Sequence, residues 1–151
     1  MRFPFLVRNS ADFDENSPEF RMTERVWSNR DRHSVEKNKL ISAWDTIAID
    51  DDGGLIRMIA GAIQPLPHGQ VRDFKIVVPD DYPFDPPRAF SVGWDLGGEH
   101  CYSGNEMCLW RINQWKPSYT LAYAVAKTYV WIHKHEEWLR SGVWPGNQQK
   151  H

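Results

Sequence analysis

The sequence predicts an α+β domain made of an N-terminal helix, a four-stranded antiparallel meander, a long irregular connection and a long C-terminal helix. Three observations carry this. Between Thr46 and Trp94, short apolar runs alternate with turn residues at close spacing, which favours hairpin connections over parallel crossovers. From Leu121 the apolar period lengthens to that of a helix. The chain has 151 residues, 41% hydrophobic and 25% charged, enough for one compact domain. A domain of that size buries roughly 68–70% of its unfolded surface and needs no metal or disulfide staple.

Residues 1–16 show no defensible periodicity and are read as an irregular N-terminus. Ser17, Pro18 and Glu19 form a helix-start signal: a capping hydroxyl, a proline whose missing N–H costs nothing, and an acid in the first turn. Phe20, Glu24 and Trp27 share one face, so this helix is expected to reach about Asn29. The charged stretch from Arg30 to Lys39 then reads as a loop, with a further turn or two around Val35 to Ala43.

Four strands follow. Thr46 to Asp50 alternates, and Asp50-Asp51-Asp52-Gly53-Gly54 is a turn signal. Leu55 to Ile63 is the second strand, broken by Pro65, Pro67 and Gly69. Val71 to Val78 is the third, closed by Pro79 to Tyr82, and Arg88 to Trp94 the fourth. Asp95 to Pro117 is irregular. Leu121, Val125, Tyr129 and Ile132 then recur at spacings of four, four and three, Ala122, Ala124 and Ala126 widen the stripe, and Gly142 is a natural stop. His133 and His135 fall on the expected solvated half of that helix. Residues 143–151 form a Trp/Gly tail to a single domain spanning 1–151.

Eighteen basic against twenty acidic residues leave a formal charge of −2, so there is no general electrostatic pull toward nucleic acid or an anionic membrane. No run of 18 apolar residues could span a bilayer, and the start is too short in apolar residues for a signal peptide. A cytoplasmic protein is expected. Its two cysteines, Cys101 and Cys108, both lie in the irregular connection, and in that compartment thiols are more often free than bridged. Chemistry tends to sit on such loops. Five of the eight tryptophans fall in the last 42 residues.

These residues carry a resemblance. Tyr82-Pro83-Phe84-Asp85-Pro86-Pro87 follows a strand, then come His100, Gly104-Asn105-Glu106-Met107-Cys108-Leu109 and Trp115-Lys116-Pro117. In order and spacing this resembles the ubiquitin-conjugating enzymes, over about residues 46–139. The family's His-Pro-Asn is His100-Cys101-Tyr102 here, so the Asn credited with steadying the oxyanion is missing. His100-x-Tyr102, Cys108-Leu109-Trp110 and the Trp-rich tail look more like the bacterial branch found in cyclic-oligonucleotide-based antiphage signalling (CBASS) operons. The resemblance implies a ubiquitin-conjugating-like fold and an acyl carrier regulating antiphage defence. Its implied partner is a cGAS-like nucleotidyltransferase, one related to cyclic GMP–AMP synthase, conjugated through its C-terminus, with an activating enzyme elsewhere unless loading takes another route. No cofactor and no metal are implied.

Acyl transfer from a thioester to an amine needs a thiolate nucleophile and oxyanion donors. Cys108 is the preferred nucleophile, its pKa expected to fall beside a His100 imidazolium. Cys101 is the rival nucleophile, or a resolving thiol. His100 could equally organise the loop. Asn105, Ser103 or a backbone N–H could replace the missing oxyanion donor, with Asn113 a further candidate. Trp110 and Trp144 are expected to line a partner groove, against the plainer reading of core packing. The cysteine spacing lacks a zinc-knuckle pattern, and adjacent His-Cys rarely chelate one tetrahedral zinc. The competing class is a non-catalytic binding module of the same fold. Cleavage of the isopeptide bond that the carrier forms is a further activity compatible with the sequence.

Overall fold

The computed structural model describes residues 14–98, 101–111 and 113–146. The order of elements is helix α1 (Asn29–Ala43), strands β1 (Ile47–Asp52), β2 (Leu55–Ile63), β3 (Arg72–Val77) and β4 (Arg88–Val92), the short β5 (Cys101–Tyr102) and β6 (Glu106–Met107), and helix α2 (Leu121–Ser141).

The first helix is not where the capping signal at Ser17 placed it. Residues 14–20 form turns, and the helix starts after Ser28, whose hydroxyl accepts the Asp31 N–H at 3.1 Å. The segment read as a charged loop is therefore the helix. Its buried face consists of Arg32, His33, Glu36, Lys39, Leu40 and Ala43, so four of its six members are polar and no apolar stripe exists to be read.

That polar face works because its groups are paired. The Glu36 carboxylate accepts Arg32 Nε at 2.9 Å, the Leu121 backbone N–H at 2.6 Å and the Tyr82 hydroxyl. Arg32 also donates to the Tyr119 carbonyl at 2.9 Å. One carboxylate thus ties α1 to the first turn of α2, whose N–H groups lack intrahelical partners, and to the Tyr82-Pro83 turn. On the neighbouring turn, His33 Nδ1 accepts the Ile56 N–H at 2.7 Å, docking α1 on β2.

The sheet has six strands in the order β1-β2-β3-β4-β6-β5, antiparallel throughout, not the four expected. The added pair lies inside the connection read as irregular. Two residues per strand are too few to show alternation. The sheet buries one face, led by Ile56, Ile59, Phe74, Ile76 and Ala89, while Asp73, Lys75 and Val77 point to solvent. Gly61 lies opposite Phe74, and a Cβ there would sit 2.6 Å from the ring, so a side chain would force the strands apart.

Helix α2 covers this buried face. Thr120 caps it, its hydroxyl accepting the Tyr123 N–H at 3.3 Å, and Gly142 ends it in the left-handed conformation at φ 79°. Every residue from Leu121 to His135 is buried. His133 and His135 were expected on a solvated half and are instead inside: the tail wraps back, with Trp144 against Trp131 at 5.3 Å, and His135 is held among Trp131, Trp94 and Trp138. No helix among the described residues is long and apolar enough to cross a membrane.

Candidate active site

Strands β5 and β6 form a small hairpin that positions both thiols. Cys101 opens β5 opposite Met107, and Cys108 follows directly after β6. Its turn, Ser103 to Asn105, needs positive φ at Gly104 (76°) and Asn105 (62°). Ser103 and Asn105, the proposed oxyanion donors, are exposed on that turn. His100 lies outside the described residues.

The hairpin brings Cys101, Tyr102 and Cys108 together but treats the thiols differently. Cys101 is partly exposed, whereas Cys108 is 1% exposed. Burial, then the neighbouring Cys101 and Glu106, push the Cys108 thiol up to about 12, and a hydrogen bond from Tyr102 only partly offsets this. The lowering expected beside a His100 imidazolium involves a residue outside the described ones. Its side chain is buried between the hairpin and α2.

Cys108 lines a cavity of about 20 Å³, room for a single water, with Leu109, Lys127, Val130, Trp131, Lys134 and Trp144. Lys127 and Lys134 are each 7% exposed. Burial first, then the neighbouring Lys134 and Arg111, hold the Lys127 ammonium down to about 8, with Glu15 opposing. Burial and Arg111 lower Lys134 as well. Neither lysine is among the residues the sequence motifs point to. The available signal was their seven-residue spacing on an otherwise apolar helix, which places them on one face two turns apart.

On the outer side, a groove of about 400 Å³ runs past the same hairpin, lined by Tyr102, Glu106, Trp110, Arg111, Asn113 and Trp115 among others. The Tyr82 to Pro87 turn forms its other wall, with Phe84 72% exposed. Two indoles clamp that turn: Trp115 Nε1 donates to the Pro83 carbonyl at 2.8 Å and Trp110 Nε1 to the Pro87 carbonyl at 3.2 Å. Trp110 and Trp144, expected in one partner groove, therefore belong to different places. Trp110 edges the outer groove and packs on Trp115 at 4.9 Å, while Trp144 is buried and lines the inner pocket. Among the described residues, no three His, Cys, Asp or Glu side chains come together as metal ligands would.

No protein-family model matches the sequence, and no curated protein matches it. Among solved structures, the chain is similar to a Plasmodium vivax ubiquitin conjugating enzyme E2, with a TM-score of 0.51 at 23% identity. The match covers 65% of this chain and 95% of that one. The fold is thus ubiquitin-conjugating-like, α+β, with an antiparallel sheet and two helices.

Proposed function

We propose that this chain is a ubiquitin-conjugating-like acyl carrier: Cys108 accepts the C-terminal acyl group of a partner protein as a thioester and passes it to a lysine. The observation that carries the reading is the hairpin on this fold, whose Tyr102 and Glu106 line the outer groove while the thiol of Cys108, bonded to Tyr102, lines the small pocket behind it. An extended C-terminus fits the outer groove. Tyr102 is the side-chain donor nearest the thiol in chemical terms, since its hydroxyl bonds to Cys108, and so joins Asn105 and Ser103 as an oxyanion-donor candidate. The proposed setting is cytoplasmic antiphage signalling of the CBASS type, with a cGAS-like nucleotidyltransferase as the conjugated partner and a separate activating enzyme supplying the thioester.

A second assignment, with Cys101 as acceptor, is favoured by its exposure, since loading requires a thiol that a protein C-terminus can reach. A binding module without chemistry is favoured by the burial and raised pKa of Cys108. One experiment separates the three. Wild type, Cys108→Ala and Cys101→Ala are co-expressed with the nucleotidyltransferase and its activating enzyme, and intact masses are taken with and without reducing thiol. A partner-sized adduct released by thiol and lost only in Cys108→Ala supports the first assignment. Loss only in Cys101→Ala moves the site to Cys101, and no adduct with intact partner present leaves the binding module.

A further inference from the structure

We propose that the pocket behind the hairpin is an oxyanion site: Lys127 and Lys134 of α2, together with Arg111 of the adjoining groove, bind a phosphate dianion, either free or as the terminal group of a phosphate monoester. This goes beyond the carrier reading and does not depend on which cysteine is loaded.

Both lysines line one pocket, each is 7% exposed, and among the described residues neither makes an ion pair with a carboxylate. They stand seven residues apart on α2, so their stems rise from one face about 10 Å apart along the axis. Arg111 acts electrostatically on both, and Lys134 acts on Lys127. One carboxylate, Glu15, opposes them, and it already faces Arg21 at 3.9 Å and accepts the Tyr123 hydroxyl at 3.4 Å. Like charges stripped of water repel one another, and a wall that needed only apolar filling would be served better by Met or Leu. The charge is nevertheless kept: with a pKa of about 8, about nine-tenths of Lys127 is protonated at pH 7. The Trp110 ring, 5.7 Å from Nζ, is a weak counterpart for it.

Charge sets the class of ligand. Three cations against one carboxylate leave two positive charges, which a phosphate dianion cancels and a single carboxylate does not. Size sets the pose. Room for a single water, about 20 Å³, admits one phosphoryl oxygen, and the others stay on the open side. Arg111 is exposed in the neighbouring groove, where its planar fork can take two oxygens at once, while the ammonium groups serve as point charges.

The test uses the full chain at pH 7 in a phosphate-free buffer, with ionic strength held constant by sodium chloride. Inorganic phosphate, AMP, adenosine and acetate are titrated by calorimetry and by tryptophan fluorescence. Phosphate or AMP should bind saturably with a Kd below about 1 mM. Tighter AMP than phosphate, with adenosine inert, names the monoester as the source, and equal or weaker AMP names the free ion. Affinity should fall at least tenfold in Lys127→Gln and in Lys134→Gln, and stay unchanged in Lys75→Gln on the exposed face of β3. Should either lysine variant fail to fold by circular dichroism, Arg111→Gln, on an exposed side chain, carries the comparison and should weaken binding at least threefold. No saturable binding of phosphate or AMP to wild type overturns the proposal. Equal loss in Lys75→Gln, no loss in the pocket variants, or acetate binding as tightly as phosphate also overturns it. None of these results bears on the thioester adducts that test the carrier reading, so the two fail separately.

Discussion

Replacing Lys127 by Met should make the protein more stable at neutral pH. Met conserves the volume and linear shape of the buried stem while removing a charge that is 7% exposed and, among the described residues, makes no ion pair with a carboxylate and is offset only in part by Glu15. The ammonium falls from 10.5 in the unfolded chain to about 8 in the fold, which costs about 3 kcal/mol below pH 8. Losing the contact with Trp110 returns about 1 kcal/mol of that. The net gain is about 2 kcal/mol, or about 4–8 °C in Tm for a domain of this size. The sign with pH follows from the direction of the shift. Between about pH 8 and 10.5 the unfolded state holds more protons than the native one, so wild-type stability gains from this group as pH rises, and the variant's advantage disappears by the top of the window. The charged groups that act on this amine are Lys134, Arg111 and Glu15, and all remain in the variant. The assay is urea unfolding followed by tryptophan fluorescence at pH 7 and pH 10.5. A variant less stable than wild type at pH 7, or one with an equal gain at both pH values, would refute the reasoning. A stabilising replacement is what is expected where a costly residue is retained for chemistry.

Three further outcomes follow from the same geometry. In wild type at pH 8, iodoacetamide should alkylate Cys101 at least tenfold faster than Cys108, and Trp144→Ala should narrow that gap by opening the cavity; mapped alkylation rates check both. Glu36→Ala should cost about 3–5 kcal/mol in urea unfolding, because it leaves Arg32 buried without its partner and the Leu121 N–H unsatisfied. His33 must be neutral to accept from Ile56, and burial, then Arg32 and Arg57, lower its pKa. Its contribution is therefore complete above about pH 6.5 and is lost as pH falls through the native value, so His33→Gln should flatten that part of the stability profile.

How legible the molecule is from sequence differs by element. The second strand, Leu55–Ile63, was read with the bounds it has, because Asp50 to Gly54 and Pro65 to Gly69 punctuate it on both sides. The last helix was read as largely buried in its first half, and burial in fact extends to His135. What covers its second half is Trp144 folding back, a contact between residues with no periodic relation. The first helix was misplaced because its inward face is written in Arg32, Glu36 and Lys39, a pattern that sequence alone assigns to solvent. At the site, the sequence shows two thiols seven residues apart in one connection, and the hairpin sets them beside each other. Their opposite exposure depends on a hairpin whose strands are two residues long. The amines behind Cys108 went unread for a related reason: a lysine on a helix is ordinarily a solvated one.

The sequence by itself determined the α+β class, the strands bounded by turn chemistry, the long closing helix with its glycine stop, and the cysteines as the candidates for chemistry. These are matters of local pattern, where neighbouring residues carry the information. Only the tertiary structure decided which thiol faces water, that Glu36 bonds to the first turn of the last helix 85 residues further on, and that Lys127 and Lys134 line one small pocket with Cys108. Burial is the reason. Whether a polar group is solvated, paired or stripped of water depends on which distant segments cover it, and its chemistry follows from that covering.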